Sequence, residues 1–460
     1  MDANKLIKDP IHGYIEFEDW VIQFKDTPQF QRLRDIKQLG IAFYVFPGAT
    51  HTRFEHSLGT AHLAYNLTKR LQEQQEKNDD DDCNLKCVTL DALCHDLGHG
   101  PYSHLFDRDF IKEYLGIGWK HEEGSLTMFE DLINKNPIDL ESMGLKRPDD
   151  VEIIKALIKG DPKYLTKSTR NIPKYLFNIV NNGKNSLDVD KFDYFARDCY
   201  YSGVKIQFDF HRLMRLSRVM DDEIVYYYKE CYLIYELFHT RYSLCKTVYK
   251  HRVVRAIEHM ICDVLKQAKQ YLEKKFEVES FEDLINDGEK YMQLSDSIFY
   301  EIEHSKDEKN INKQILDEII NCVENVDCND VIVDWISFDY CKKDKNPVKF
   351  VKFYDFDNNK KPFLIKEIKK ADVSYFLPKV YKEEIVRIYL RTKENDTKDE
   401  LKTKIKAAFR RKAKYLNLIK EEDESNSESE DGNDNSDGAE KKSEKDEKDK
   451  RSGTSDETSQ

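Results

Sequence analysis

Two short phrases concentrate the histidines of this chain. His95-Asp96-Leu97-Gly98-His99-Gly100-Pro101-Tyr102-Ser103-His104 holds three and Lys120-His121-Glu122 a fourth, and seven of the 13 in the sequence fall between His51 and His121. Imidazole nitrogens and carboxylates are ligands for a first-row divalent ion, and neighbouring His95 and Asp96 at the end of an apolar helix can both reach one cation. His99, four residues on, is expected on the same face as His95. Two donors do not complete a shell of about four to six ligands, so the rest have to come from other helices. His56, on a stripe that starts near Phe54, and an acid in Asp188-Val189-Asp190-Lys191-Phe192-Asp193-Tyr194 are the candidates. Gly98, Gly100 and Pro101 end the helix and open a mouth beside the ion. A metal with open positions polarises a phosphoryl oxygen and lowers the pKa of bound water toward about 7, which suits attack at a phosphate ester.

The elements that hold these residues read mostly as helix. After Phe54 the apolar positions Leu58, Ala61, Tyr65, Leu67 and Leu71 recur at steps of two to four, and similar stripes run through 88–97, 126–133, 151–158, 175–180 and 248–271. The acidic run Asp79 to Asp82 is expected to be a solvated loop, and Gly160, Gly183 and Gly203 to be stops. Beyond residue 330 the pattern changes: 348–356 and 385–390 alternate and 363–368 is short and apolar, as in strands. The expected architecture is mainly α: a helical bundle over 1–330, a small α+β lobe over 331–420 that includes a charged helix at 398–415, and a tail over 421–460. That tail has no Ile, Leu, Val, Phe, Tyr or Trp and carries 16 acidic against 6 basic residues. It cannot bury enough apolar surface to offset the entropy of ordering, so disorder is expected there.

Composition narrows the function classes. The chain has 460 residues, 39% hydrophobic and 35% charged, the profile of a charge-rich globular protein. Its longest notable apolar run, Ile41 to Phe46, is far short of the roughly 18 residues of a membrane span. The N-terminus lacks a secretory pattern, so an intracellular protein, nuclear or cytoplasmic, is expected. Ten cysteines contain no C-x-x-C pair, and Cys83, Cys87 and Cys94 are spaced wrongly for the common zinc sites, so reduced core thiols are expected. The net charge of −13 sits largely in the tail, leaving a nearly neutral body. Lys404, Lys406, Arg410, Arg411 and Lys414 make only a modest basic face, so charge does not support nucleic-acid binding.

The order His56, His95-Asp96, Asp190 resembles the H…HD…D signature of HD-domain metal-dependent phosphohydrolases. The phrases Asp9-Pro10-Ile11-His12-Gly13, Thr27 to Arg34, Phe46-Pro47-Gly48-Ala49, Arg53-Phe54-Glu55-His56-Ser57 and Asp190 to Asp198 are closely similar to the SAM-and-HD-domain deoxynucleoside triphosphate triphosphohydrolases. The resemblance covers about residues 4 to 415; no SAM domain is expected. It implies that His56, His95, Asp96 and Asp190 ligate a divalent ion (Fe, Mn, Zn or Mg), with Mg on the substrate triphosphate. It places His99, His104, Asp107, His121 and Glu122 at catalysis, with His104 or His121 protonating the departing 5′-oxygen. Gln38, Leu39, Arg53, Asp188, Lys191, Tyr194, Asp198, Arg241 and Tyr249 become substrate contacts, Asp198 and Gln38 at the 3′-hydroxyl and Tyr249 beneath the deoxyribose. Tyr194 and Asp198 follow Asp190 at steps of four on one helix face, each about 6 Å further along, a spacing compatible with those roles. Lys250 stands where the family has a glutamine.

The family is activated by GTP and dNTPs bound between subunits of a dimer or tetramer. Lys5, Asp26, Gln31 and Arg34 match a guanine-selective site, and Val45, Phe46, Arg212, Lys229, His251 and Arg252 a second one. Lys8, Tyr227 and Leu233 depart from that second site, and the segment between Asn321 and Val331 is short and lacks basic residues of the first. Two other readings compete with the dNTP hydrolase: an HD nucleotidase or cyclic-nucleotide phosphodiesterase, and a nucleic-acid-binding oligomer.

Overall fold

Side chains that close first turns mark where the helices begin in the computed structural model, which describes residues 4–165, 168–205, 209–304, 331–358 and 360–390. Glu55 accepts the backbone N–H of Thr52 at 2.8 Å and starts the long helix Arg53–Gln72. Asp188 accepts from the Lys191 N–H and caps Val189–Ser202, which Gly203 ends in the left-handed region (φ 74). In chain order the main helices are α1 (Asp19–Lys25), α2 (Pro28–Gln31), α3 (Arg53–Gln72), α4 (Asp81–Cys94), α5 (His121–Lys135), α6 (Asp149–Lys159), α7 (Val189–Ser202), α8 (Phe210–Arg215), α9 (Cys231–Leu244) and α10 (Arg252–Gln267). The expected stripe of α3 is its buried face: Leu58, Ala61, Leu67 and Leu71 face the core. α3 packs on α4 and α7, and α4 on α6, so the three chain segments that carry the histidine and aspartate phrases meet at one place. The chain is mainly helical, with small sheets.

The strands are β1 (Lys5–Asp9), β2 (Gly13–Phe17), β3 (Ser217–Met220), β4 (Glu223–Tyr227), β5 (Val331–Asp339), β6 (Phe353–Phe356), β7 (Pro362–Ile365) and β8 (Lys382–Leu390). β1 and β2 form an antiparallel hairpin, Lys5 opposite Phe17 and Asp9 opposite Gly13. β3, β4, β6 and β7 form one sheet in that order, with β4 and β6 parallel, so strands beyond residue 330 continue a sheet begun before it. β5 and β8 pair as a separate antiparallel ribbon.

Several elements differ from the sequence reading. α4 starts inside the acidic run expected to be a loop, because Asp81 and Asp82 in a first turn favour the positive end of the helix dipole. The 175–180 stripe is a 3₁₀ turn, Lys174–Asn178, and Gly183 lies in a turn rather than at a helix end. The 248–271 stripe is interrupted: Cys245–Tyr249 is a π-helical turn, α10 follows, and Lys269–Lys275 is a separate helix. The expected helix at 398–415, the tail 421–460 and most of the segment between Asn321 and Val331 lie outside the described residues. Among the described residues no helix is long and apolar enough to cross a membrane.

Candidate metal centre and substrate cleft

α4 ends at Cys94, and His95 is its cap. The His95 Nδ1 donates to the Ala92 carbonyl at 2.8 Å, and the His56 Nδ1 on α3 donates to Asp193 Oδ2 at 2.7 Å. With those protons on Nδ1, Nε2 is the atom of each ring that can bind a cation. Both Nε2 atoms are buried without a hydrogen-bond partner and face carboxylates. His56 Nε2 is 3.1 Å from Asp190 Oδ1 and 3.5 Å from Asp96 Oδ2; His95 Nε2 is 3.5 Å from Asp96 Oδ1 and 3.5 Å from Asp190 Oδ1. Burial pulls the His56 imidazole down, but Asp190, Asp193 and Asp96 together outweigh it and hold its pKa at about 10; His95 rises to about 9 against the same burial, through Asp96 and Asp190. The cluster attracts positive charge at its centre. Two imidazoles whose inward Nε2 atoms can exchange a proton for a metal, together with two ionised carboxylates, fit a divalent cation.

A second group abuts the first. Asp107 accepts from the Nδ1 of His121 at 2.8 Å and faces the Nδ1 of His104 at 3.3 Å. The His99 ring stacks on His121 with centroids 4.0 Å apart, and the His99 Nε2 is 3.3 Å from Asp96 Oδ1. His99 is therefore not stacked on the α4 face with His95, as the four-residue spacing suggested: α4 stops at Cys94, and the turn that follows swings His99 toward α5. Gly98 permits the approach, since a Cβ there would come within 2.1 Å of the His121 carbonyl. Burial and the nearby Arg108 hold His104 below its ordinary value, and burial, Arg53 and His121 do the same to His99. Glu122 lies at 3.9 Å from the His121 Nδ1, further than Asp107.

Along α7 the spacing read from the sequence becomes a sequence of contacts. Asp190 faces His56 and His95, the Tyr194 ring lies 6.3 Å from His56, and Asp198 accepts from His51 Nε2 at 2.7 Å and from the Tyr249 hydroxyl at 2.7 Å. Burial raises the Tyr194 and Tyr249 hydroxyls well above their ordinary value, so both stay protonated. Gln38 is buried beside His51, with its Oε1 unpartnered, and Leu39 is packed against the core. Four of the expected contacts, Arg53, Asp188, Lys191 and Arg241, are tied up within the protein. The Arg53 guanidinium donates to Asp96 at 2.7 Å and to Ser103 at 3.0 Å, and Asp188 is a buried cap that also holds Lys191 Nζ at 2.8 Å. Arg241 pairs with Asp339 at 2.7 Å.

The expected regulatory residues fall into separate patches. Gln31 bonds the Lys25 carbonyl and Arg34, the Arg34 guanidinium lies 3.5 Å from the Phe54 ring centroid, and Asp26 is the exposed cap of α1. Lys5 is exposed on β1. Phe46, beside Val45, meets the His251 ring at 5.7 Å, with Arg252 adjacent. Arg212 is paired to Glu230 at 2.6 Å, and Lys229 lies over Tyr227 and Tyr228.

His51, Asp339 and Cys341 were given no role by the sequence, and Asp193 and His12 appeared there only within longer phrases. The Cys341 thiol, pushed up by burial to about 11, faces both Arg241 and Lys191. Cys83 and Cys87 lie with Asp150, but Arg170 donates to Asp150 at 2.6 Å and to Asn84 at 2.6 Å, so that group already holds a cation.

Comparison with known proteins follows the same residues. The HD domain pattern matches residues 53–196. The chain is 37% identical over 456 residues to the deoxynucleoside triphosphate triphosphohydrolase SAMHD1 of Bos taurus, covering 86% of this chain and 76% of that one. It is 37% identical over 448 residues to the SAMHD1 homolog of Dictyostelium discoideum (90% and 82% covered), and 38% identical over 450 residues to the Homo sapiens protein (85% and 71%).

Proposed function

The chain belongs to the SAMHD1 family of deoxynucleoside triphosphate triphosphohydrolases, and from that premise we propose that it hydrolyses dNTPs, dGTP among them, to deoxynucleoside and inorganic triphosphate. The observation that carries this reading is the order of groups along α7. Asp190 stands at the His56, His95 and Asp96 cluster, Tyr194 comes next, and Asp198 lies beside Tyr249. A cluster suited to a phosphate-bound ion is thus joined by one rigid helix to a tyrosine and a carboxylate suited to a sugar.

A divalent ion (Fe, Mn, Zn or Mg) held by His56, His95, Asp96 and Asp190 supplies Lewis-acid activation of the phosphate and of an attacking water. Asp107 fixes the Nδ1 edges of His104 and His121 and leaves their Nε2 edges for the departing 5′-oxygen, with Arg108 Nη2, 3.4 Å from the His104 Nε2, having to give way before His104 can act as the acid. The triphosphate carries about four negative charges, and their arrival raises the depressed His104 toward the protonated form that an acid needs. Lys191 and Arg241 neutralise the phosphates, while Asp198 accepts from the 3′-hydroxyl and Tyr249 packs under the sugar, where a 2′-hydroxyl would clash. A homo-oligomer, dimer or tetramer, with modest stimulation by GTP through Asp26 and Arg34, completes the reading. Asp26→Ala then removes whatever stimulation GTP gives.

The test is to incubate the purified chain with each dNTP and Mg²⁺ or Mn²⁺ and resolve the phosphorus products. Triphosphate and deoxynucleoside are expected in a single step. Stepwise dGDP or dGMP, or equal rates on GTP and dGTP, would contradict the reading.

A further inference from the structure

Asp193 lies three residues beyond Asp190 and turns away from the open centre. Its two oxygens accept four hydrogen bonds. Oδ2 takes His56 Nδ1 at 2.7 Å and Arg197 Nε at 2.9 Å; Oδ1 takes His12 Nε2 at 2.6 Å and Arg197 Nη2 at 2.8 Å. All of these side chains are essentially sealed from solvent. With both of its oxygens facing N–H groups, two on each, Asp193 accepts rather than donates. Asp193 thereby keeps a proton on the His56 Nδ1, so that Nε2, between Asp96 and Asp190, is the atom left to bind a cation.

His12 reaches Asp193 from the turn of the β1–β2 hairpin. Asp9 sets that turn: its Oδ1 accepts the backbone N–H of Ile11 at 2.8 Å and of His12 at 2.9 Å, while its Oδ2 accepts Arg197 Nη1 at 2.9 Å. An independent feature of α3 marks the same spot. A Cβ on Gly59 would lie 1.9 Å from Asp193 Oδ1 and 2.6 Å from Arg197 Nη2, so α3 leaves out a side chain where the carboxylate seats.

We propose that Asp193 is the positioning residue of His56, and that the N-terminal hairpin, through His12 and Asp9, is part of the supporting shell of the metal centre. The hairpin holds no ligand, yet it fixes one side of the carboxylate that orients a ligand. Anything that displaces β1 and β2 acts on His56 through two hydrogen bonds. Outer-shell partners of this kind typically change metal affinity by about 10–100-fold when altered. The inference rests on the reading of His56 as a metal ligand.

The experiment reads metal affinity without substrate. The full chain is stripped with a chelator and titrated with Mn²⁺, free ion being followed by electron paramagnetic resonance, for wild type, Asp193→Asn, His12→Gln, Gly59→Ala and His56→Ala. Asp193→Asn is expected to weaken Mn²⁺ binding about 10–100-fold, because its amide can donate to Nδ1 and send the imidazole proton to Nε2. His12→Gln and Gly59→Ala, which replace neither a ligand nor Asp193 but disturb how Asp193 is seated, are expected to weaken it by about 3–10-fold. In all three, excess Mn²⁺ should restore kcat toward wild type with KM for dGTP unchanged, a recovery that a damaged fold would not give. An Mn²⁺ affinity within about twofold of wild type in Asp193→Asn, or in both His12→Gln and Gly59→Ala, would overturn the proposal; should Asp193→Asn fail to fold, the other two decide it. If wild type binds no more Mn²⁺ than His56→Ala, the metal reading itself falls and takes the proposal with it.

Discussion

Two clusters of carboxylates and bases among the described residues, one partly buried around Arg255 and one buried around His56 and His95, are finished in opposite ways. Around Arg255 on α10, Asp109, Glu258 and Asp334 converge on one guanidinium at 3.0, 2.7 and 3.1 Å, so the cation at the centre is a side chain. Around His56 and His95, the two inward Nε2 atoms have no partner and the carboxylates of Asp96 and Asp190 face them across 3.1–3.5 Å. The first cluster supplies its own positive charge and ties α10 to β5 and to the turn at Leu105–Tyr114. The second leaves its centre to a ligand. What separates a structural charge network from a site is therefore whether the geometry is completed from within the chain, a property of the centre and not of the residue types around it.

Removing one member from each cluster should break them differently. Asp96→Ala is expected to lower turnover by about 10³-fold or more and to lower bound metal, with helical circular dichroism largely intact, because the metal chemistry lost is worth several kcal/mol. Asp107→Asn should cost less, about 10²-fold in kcat, with metal content retained, since it disorders His104 and His121 but removes no ligand. Arg255→Met should do the reverse of Asp96→Ala: it strands three carboxylates and costs about 3–5 kcal/mol of stability in denaturant titration, while the folded fraction keeps its metal. The smallest effect concerns pH. Burial, together with Asp109 and Asp334 competing for the same guanidinium, raises Glu258 from 4.5 to about 7. The folded state thus binds a proton that the unfolded chain has released. Stability from this group is full below pH 4.5 and is lost as pH rises through 7. Glu258→Gln should flatten the fall in Tm over that window, and an unchanged slope would show that Glu258 is ionised throughout.

The contrast between the clusters also explains what the sequence disclosed. The line Asp190, Tyr194, Asp198 was legible because a capped helix with a regular period fixes which side chains share a face. The pairing of His95 with Asp96 needed only adjacency. Asp193 was not separable from Asp190: both are acids on the first turns of α7, and only packing against Gly59 and the hairpin decides which faces the centre. His99 was misplaced because a period carries no information past the residue where the helix stops. The Arg255 cluster was hidden, since a charged helix face reads as solvated until β5, some 80 positions away, is brought against it. The π-helical turns at Leu105–Tyr114 and Cys245–Tyr249 have apolar spacings too close to the ordinary helix to be told apart.

The role assigned to His56, His95, Asp96 and Asp190 stands or falls with their being a metal centre required for dNTP hydrolysis. Its most direct test is to strip the chain with a chelator, restore Mn²⁺ in steps, and follow bound metal and triphosphate release from dGTP together for wild type and Asp190→Ala. Triphosphate release in wild type is expected to rise in step with the first ion bound per chain, and Asp190→Ala is expected neither to bind that ion tightly nor to release triphosphate. Full release from the stripped wild type, or an Asp190→Ala chain that keeps both its ion and its activity, would contradict it.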